Sequence, residues 1–287
     1  MSELSARATP TKRLQPTSGW RLIDWRELVA YRDLFWFLVW RDVKVRYKQT
    51  VLGFGWALIR PFFSMVVFTI IFGGLAAVPS DGVPYALFSF TALLPWTYFS
   101  TSMSSSTSSL VSSAGMLSKV YFPRLIIPTA PVLGNLVDLF IGLGLLMLLM
   151  LYYGVMPGLG LLFLPFLILL MVMTSLGVGL WLSALAVQFR DVNQAMQFLV
   201  QIGMYAAPVV WPISLITKKF PDHGTLIVNL YAIYPMVGVI EGFRSSILGA
   251  TPMPWNLIGI GYISAILLLI SGAFYFRRME RTFADVA

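Results

Sequence analysis

The stretch SKVYFPRLIIP at residues 118–128 is a short basic and aromatic segment between two long apolar runs. It is too polar to lie in hydrocarbon and too short to fold as a domain. Positive charge collects in the cytoplasmic loops of membrane proteins, so Lys119 and Arg124 place this segment on the cytoplasmic face. A short loop of that kind, joining two membrane helices, is a place where a soluble partner can push.

Composition supports a chain built for lipid. Of the 287 residues, 58% are hydrophobic and 11% charged, against about 25% charged in soluble domains. The formal net charge of +8 does not point to nucleic acid, because ten of the 20 Lys and Arg residues fall between Arg7 and Lys48. They form a juxtamembrane basic segment suited to a lipid surface. With no cysteine, disulfides, thiolate metal sites and cysteine nucleophiles are excluded. His223 is the only histidine, so no multi-histidine metal cluster can form and no metal site is expected. The chain has neither a GxxxxGK phosphate loop nor a GxGxxG fingerprint, so it carries no common nucleotide engine of its own.

Read outward from the loop, residues 1–19 form a polar cytoplasmic tail with no apolar signal-peptide run. Residues 20–50 alternate apolar and charged positions at helical spacing, with Trp20, Trp25, Trp36 and Trp40 as interfacial aromatics, and predict an amphipathic helix on the inner membrane surface. A transmembrane domain is expected over residues 51–276, with spans near 51–78, 85–111, 126–153, 159–187, 195–211 and 255–276. In the first, Arg60 is read as reaching out to the interface. The second ends in a run where 11 of the 14 residues from Ser100 to Ser113 are Ser or Thr. Those hydroxyls serve either tight helix packing or the wall of a polar conduit. Asp138 in the third span, one turn from Asn135, reads as a hydrogen-bonded packing site.

Residues 226–248 are apolar enough to span but are interrupted by Pro235, Gly238, Glu241, Gly242 and Arg244. Orientation decides their role. If they dip in and return, both termini are cytoplasmic, leaving sixteen cations inside against three outside. The expected fold is therefore all-α and integral to the membrane, with six transmembrane helices, the interfacial helix, and a re-entrant hairpin between helices 5 and 6. Residues 277–287 form the second cytoplasmic tail. Six helices cannot enclose a wide path alone, and a homodimer is the simplest way to build one.

Several motifs then carry a resemblance: RDL at 32–34, RDVKVRYKQTVLGFGWALIRP at 41–61, LLPWTYF, SKVYFPRLIIP, LSALAVQFRDV, AAPVVWP and YPMVGVIEGFRSSILG. In this order the chain resembles the membrane subunits of bacterial ABC exporters for surface polysaccharides, the O-antigen, capsule and teichoic-acid type. Arg60 departs from the uncharged polar residue such exporters carry before that proline.

The resemblance implies a permease in the bacterial inner membrane, not itself an enzyme, working as a homodimer with two copies of an ATPase subunit. ATP and magnesium would belong to that subunit, and this chain would need no cofactor. Lipid-linked polysaccharide would be the substrate. Arg32, Asp33, Trp36, Arg41, Lys44 and Arg46 would belong to a gate helix. Ser118, Lys119, Val120, Tyr121, Phe122, Pro123 and Arg124 would form a coupling helix seated in the ATPase, with Gln188, Arg190 and Asp191 as a second contact. Near the outer mouth, Tyr234, Pro235, Glu241 and Arg244 would form the re-entrant gate.

A path for a long glycan needs aromatic faces for sugar C–H surfaces and hydroxyls for sugar hydroxyls. Trp56, Phe62, Trp96, Tyr98, Phe99, Ser102, Ser105 and Ser109 offer that mixture, although aromatics near a membrane surface also serve as anchors. The alternatives are an ABC drug or lipid exporter permease of the same fold and a membrane-embedded glycosyl or acyl transferase. The absence of clustered acid, His or Cys chemistry speaks against the transferase.

Overall fold

The computed structural model describes residues 25–48, 55–117 and 121–280. The first tail, Ser118, Lys119 and Val120, and residues 281–287 lie outside that set. Among the described residues every regular element is helical. Near the N-terminus are α1 (Trp25–Ala30), α2 (Arg32–Tyr47) and α3 (Gly55–Phe68), the last running into a π-helical turn at Thr69–Leu75 where the Thr69 hydroxyl donates to the Met65 carbonyl at 2.8 Å. Then come α4 (Tyr85–Ser112), α5 (Ala114–Leu117), α6 (Ile126–Gly134), α7 (Leu136–Tyr152), α8 (Leu164–Gln188) and α9 (Val192–Ala206). Short helices α10 (Ser214–Lys219) and α11 (Gly224–Tyr231) lead into α12 (Pro235–Leu248) and the terminal α13 (Trp255–Met279).

Among the described residues, four helical stretches are long and apolar enough to cross a bilayer: Gly55–Leu75, Ile126–Tyr152, Leu159–Gln188 and Trp255–Met279. The helix α4 has the length but not the composition. Its 28 residues rise about 42 Å, whereas a hydrocarbon core is about 30 Å thick, so its Ser-rich end projects toward the polar boundary. In contrast, α9 has 15 residues and rises only about 22 Å before the chain turns through Pro208 and Pro212. In the stretch where a hairpin is expected, α11 and α12 are bent by 108°. Proline starts α12, and Gly249, at φ 65°, ends it by letting its N–H reach the Ser245 carbonyl at 3.2 Å. A residue with a side chain is strained in that left-handed conformation.

The core lies where α4, α7, α8 and α12 meet, around Phe90, Leu146, Leu167, Met171 and Phe243. All of α12 is buried. Its two charges answer each other: Arg244 Nη1 donates to Glu241 Oε1 at 2.7 Å, Nη2 donates to the Val209 carbonyl at 2.8 Å, and the guanidinium lies 3.6 Å from the centroid of Phe88. A buried pair held this way can sit among apolar helices. Helices α8 and α13 meet at backbone distance, because a Cβ placed on Gly272 would fall 2.5 Å from the Gly177 carbonyl oxygen. Small residues at such crossings are how helices associate where lipid removes the hydrophobic drive.

The N-terminal helix differs from a simple amphipathic one. Along α2, Leu38, Val39 and Val43 are buried against Ile126 and Ala130 of α6 and against Gly134. The opposite side exposes Trp36, Phe37 and Trp40 among Arg41 and Lys44. Apolar surface therefore occurs on both sides, one meeting the bundle and the other mixing aromatic and basic groups as a membrane interface does.

Candidate functional site

The Ser/Thr run of α4 divides into two faces. One is buried: Asn135 Nδ2 donates to Ser102 Oγ at 3.1 Å, Ser106 Oγ donates to the Pro128 carbonyl at 2.9 Å, and Thr107 and Ser109 donate back to carbonyls of their own helix. The other face is a stripe at spacings of four, three, four and four, formed by Thr97, Thr101, Ser104, Ser108 and Ser112, all exposed or half-buried. Ser104, Ser108 and Ser112 turn their protons to carbonyls of their own helix, so their oxygens can still accept from a visitor. The buried face serves helix packing, and the other leaves its hydroxyl oxygens open.

Two clefts open successively along this stripe. The larger, about 580 Å³, lies between α2, α4 and α6 and is lined by Arg41, Asp42, Ser105, Ser108, Ser109 and Ser112. The smaller, about 400 Å³, lies between α2, α3, α4 and α7, with Trp56, Arg60, Thr97, Thr101, Asn135 and Asp138 in its wall. Arg46 lines both. Its guanidinium pairs with the Asp138 carboxylate, 92 residues away in α7, and so stands at the boundary between the clefts. The expected partner of Asp138 was Asn135; instead Asn135 turns to Ser102 and Asp138 to the surface helix.

Four residues expected on a path are enclosed by neighbouring helices, and of these Tyr98 also lines the smaller cleft. Trp96, Tyr98, Phe99 and Ser102 are buried within the chain. The Tyr98 hydroxyl donates to the Val132 carbonyl at 2.9 Å, and Trp96 packs where α9 passes closest, at Gly203. They are core because α4 is surrounded by other helices over its first half. Trp56 and Phe62 remain 43% and 37% exposed on α3, and Ser105 and Ser109 line the larger cleft. Sequence reading passed over a second polar face, Gln194, Gln197 and Gln201 on α9, exposed together with Phe198 and Tyr205. The spacing of three and four would have shown it.

At the end bearing the 118–128 loop, the loop residues divide. Tyr121 is 60% exposed and its hydroxyl donates to Glu27 Oε1 of α1 at 3.1 Å; Phe122 is only 4% exposed. Phe122 sits among Leu110, Ile127, Leu180, Ala184 and Phe276, so it anchors the loop from within rather than presenting itself to a partner. Partial desolvation, then the hydrogen bond to Glu27, pushes the Tyr121 phenol above its usual range, so it stays a donor at neutral pH. Pro123 precedes the turn into α6, and Arg124 donates to the Glu280 carbonyl. Gln188, the last residue of α8, and Phe189, Arg190 and Asp191 in the turn before α9 are all exposed. Arg32 and Asp33 form a loose exposed pair at 3.6 Å. At the far end, Tyr234 and Pro235 start α12, and Glu241 and Arg244 point into the protein instead of edging an opening.

An all-helical bundle with several membrane-length helices, a charged loop surface at one end and no clustered metal or acid site among the described residues has the form of a transport subunit. The sequence matches the ABC-2 type transporter family over residues 33–248, and the chain belongs to that family. It is similar, at 30% identity over 257 residues, to the O-antigen export system permease protein RfbA of Myxococcus xanthus, covering 89% of this chain and 96% of that protein. A protein of the same description from Klebsiella pneumoniae is 25% identical over 255 residues, covering 88% of this chain and 95% of its own length. The chain is thus a multi-pass membrane protein of a transporter.

Proposed function

We propose that this chain is the permease half of an ABC exporter that carries lipid-linked polysaccharide of O-antigen type outward across the bacterial cytoplasmic membrane. Two copies pair, and each seats one ATPase subunit, which binds ATP and magnesium. Both termini are cytoplasmic; α4 and α9 join the four apolar spans to make six, and α11 and α12 form a re-entrant hairpin on the outer side.

The observation that carries this reading is the hydroxyl stripe of α4, together with the exposed glutamine face of α9. Both α3 and α9 pack on α4, and among the described residues neither polar face is fully covered. Lipid offers nothing to the glutamine amides or to the acceptor oxygens left on the stripe, so protein or water is their better neighbour. A second copy laid against this side closes a path whose wall exchanges weak hydrogen bonds with sugar hydroxyls and holds no sugar tightly. On the inner side, Tyr121 links the loop to α1, so force from the ATPase reaches the surface helix and through it the Arg46–Asp138 boundary.

The chain has no cysteine, which makes a direct test simple. Gln197→Cys and Ser108→Cys are each introduced into the full complex with its ATPase. Gln197→Cys should give a cross-linked dimer with a short bifunctional reagent. Ser108→Cys should react with a water-soluble maleimide, and a surface-glycan assay on the same cells should lose export once Ser108→Cys is labelled. A labelled Ser108→Cys protein that exports at the wild-type rate would remove the stripe from the path.

A further inference from the structure

The smaller cleft contains an arrangement that neither helix packing nor the path accounts for. Arg60 lies at its rim with its guanidinium 5.6 Å from the centroid of the Trp56 ring, and no carboxylate among the described residues pairs with it. The cleft's other arginine, Arg46, is already answered by Asp138. Two further lining residues carry buried acceptors with no donor among the described residues, Asn135 Oδ1 and Asp138 Oδ1. Asn135 spends its amide on Ser102, and Asp138 gives its other oxygen to Arg46. Residues 135 and 138 are one turn apart at the start of α7, so both acceptors face the same neighbourhood.

A cation without a counterion calls for an anion, and buried acceptors call for donors. A simple phosphate answers only the first. A sugar answers only the second. One molecule does both when a phosphate ester carries a hydroxylated group beside it, and about 400 Å³ falls in the range of ligand sites, roughly 300–1,000 Å³.

We propose that this cleft binds a phosphate ester joined to a hydroxyl-bearing group, with Arg60 holding the phosphate over the Trp56 face and Asn135 and Asp138 accepting from the hydroxyls. The inference rests on the export reading for its place in the transport cycle: the cleft adjoins the larger one across Arg46, where a carrier lipid's head would pause while its glycan lies along the stripe. Two lipids present this chemistry, a polyprenyl diphosphate bearing a sugar and phosphatidylglycerol.

The test uses the full complex with its ATPase in detergent, titrated with polyprenyl diphosphate carrying one sugar, with phosphatidylglycerol, and with phosphatidic acid, which has the phosphate but no hydroxylated neighbour. Binding is read by native mass spectrometry. Loss of a charge-assisted hydrogen bond in Arg60→Gln should weaken the preferred ligand about tenfold, Arg60→Lys should retain most of it, and phosphatidic acid should bind more weakly than either hydroxylated lipid. Preference for the sugar diphosphate names the carrier as the source; preference for phosphatidylglycerol names bulk lipid; both support the site. Equal binding in wild type and Arg60→Gln, with complex yield unchanged, overturns it, as does phosphatidic acid binding as tightly as the others. Wild-type cells that export no polysaccharide while Arg60-dependent binding persists would sink the export reading and leave the site standing.

Discussion

Replacing Asp138 with Asn removes the charge that answers Arg46 and leaves the rest of α7 untouched. The two side chains are 28% and 29% exposed, midway between a surface pair, for which loss costs about 0.2–1 kcal/mol, and a buried one, for which orphaning a partner costs about 3–5 kcal/mol. About 2 kcal/mol is expected here, a shift of roughly thirtyfold in the equilibrium between docked and lifted states of the end of α2. Because Leu38, Val39 and Val43 bind the middle of that helix to α6, the effect should be confined to its last turn. Hydrogen exchange of the α2 amides reads this directly: those from Val43 to Tyr47 should speed up in Asp138→Asn, and those near Leu38 should not. The pair Arg46→Met with Asp138→Leu, which removes both charges, should return exchange close to wild type. Arg32→Gln, which touches only an exposed pair, should do nothing. If Asp138→Asn leaves the last turn as protected as Arg32→Gln does, the ion pair does not hold the boundary between the clefts.

The coupling loop offers a contrast between neighbours. Tyr121→Ala should leave the fold intact, because the ring is largely exposed, yet uncouple ATP hydrolysis from export; Phe122→Ala should cost about 3 kcal/mol or more by emptying a core position and appear as lost yield and a lower melting temperature. Coupled transport at the wild-type rate in Tyr121→Ala would refute the role of that contact. In α12, Arg244→Ala orphans Glu241 inside the protein and should cost about 3–5 kcal/mol, while Glu241→Leu with Arg244→Met should recover most of the thermal stability; failure of the double variant to recover would mean that the Val209 hydrogen bond and the Phe88 contact matter more than the charge balance.

Much of the helical order could be read from hydropathy. Apolar runs and their interruptions located α3, the joined α6 and α7, α8 and α13, and the break at Pro235 foretold the bend into α12. What sequence could not show was which side of α4 faces neighbours. A period of 3.6 fixes that residues such as Thr97 and Thr101 share a face, but Trp96, Tyr98 and Phe99 were assigned by chemistry, and only packing by α7, α8, α9 and α12 decides that they are enclosed. Phe122 was misjudged for a similar reason: a short loop looks exposed until the helices on either side close around one of its rings. The Arg46–Asp138 link spans 92 residues, and no local pattern announces it.

The uncovered polar faces of α4 and α9 bear on how the protein is made. Under the proposed pairing, a newly inserted copy carries glutamine amides that lipid tails cannot answer, so a solitary chain stands at an energetic disadvantage that pairing would relieve. In that case the amount of mature transporter would be set by encounter between copies more than by the rate of translation.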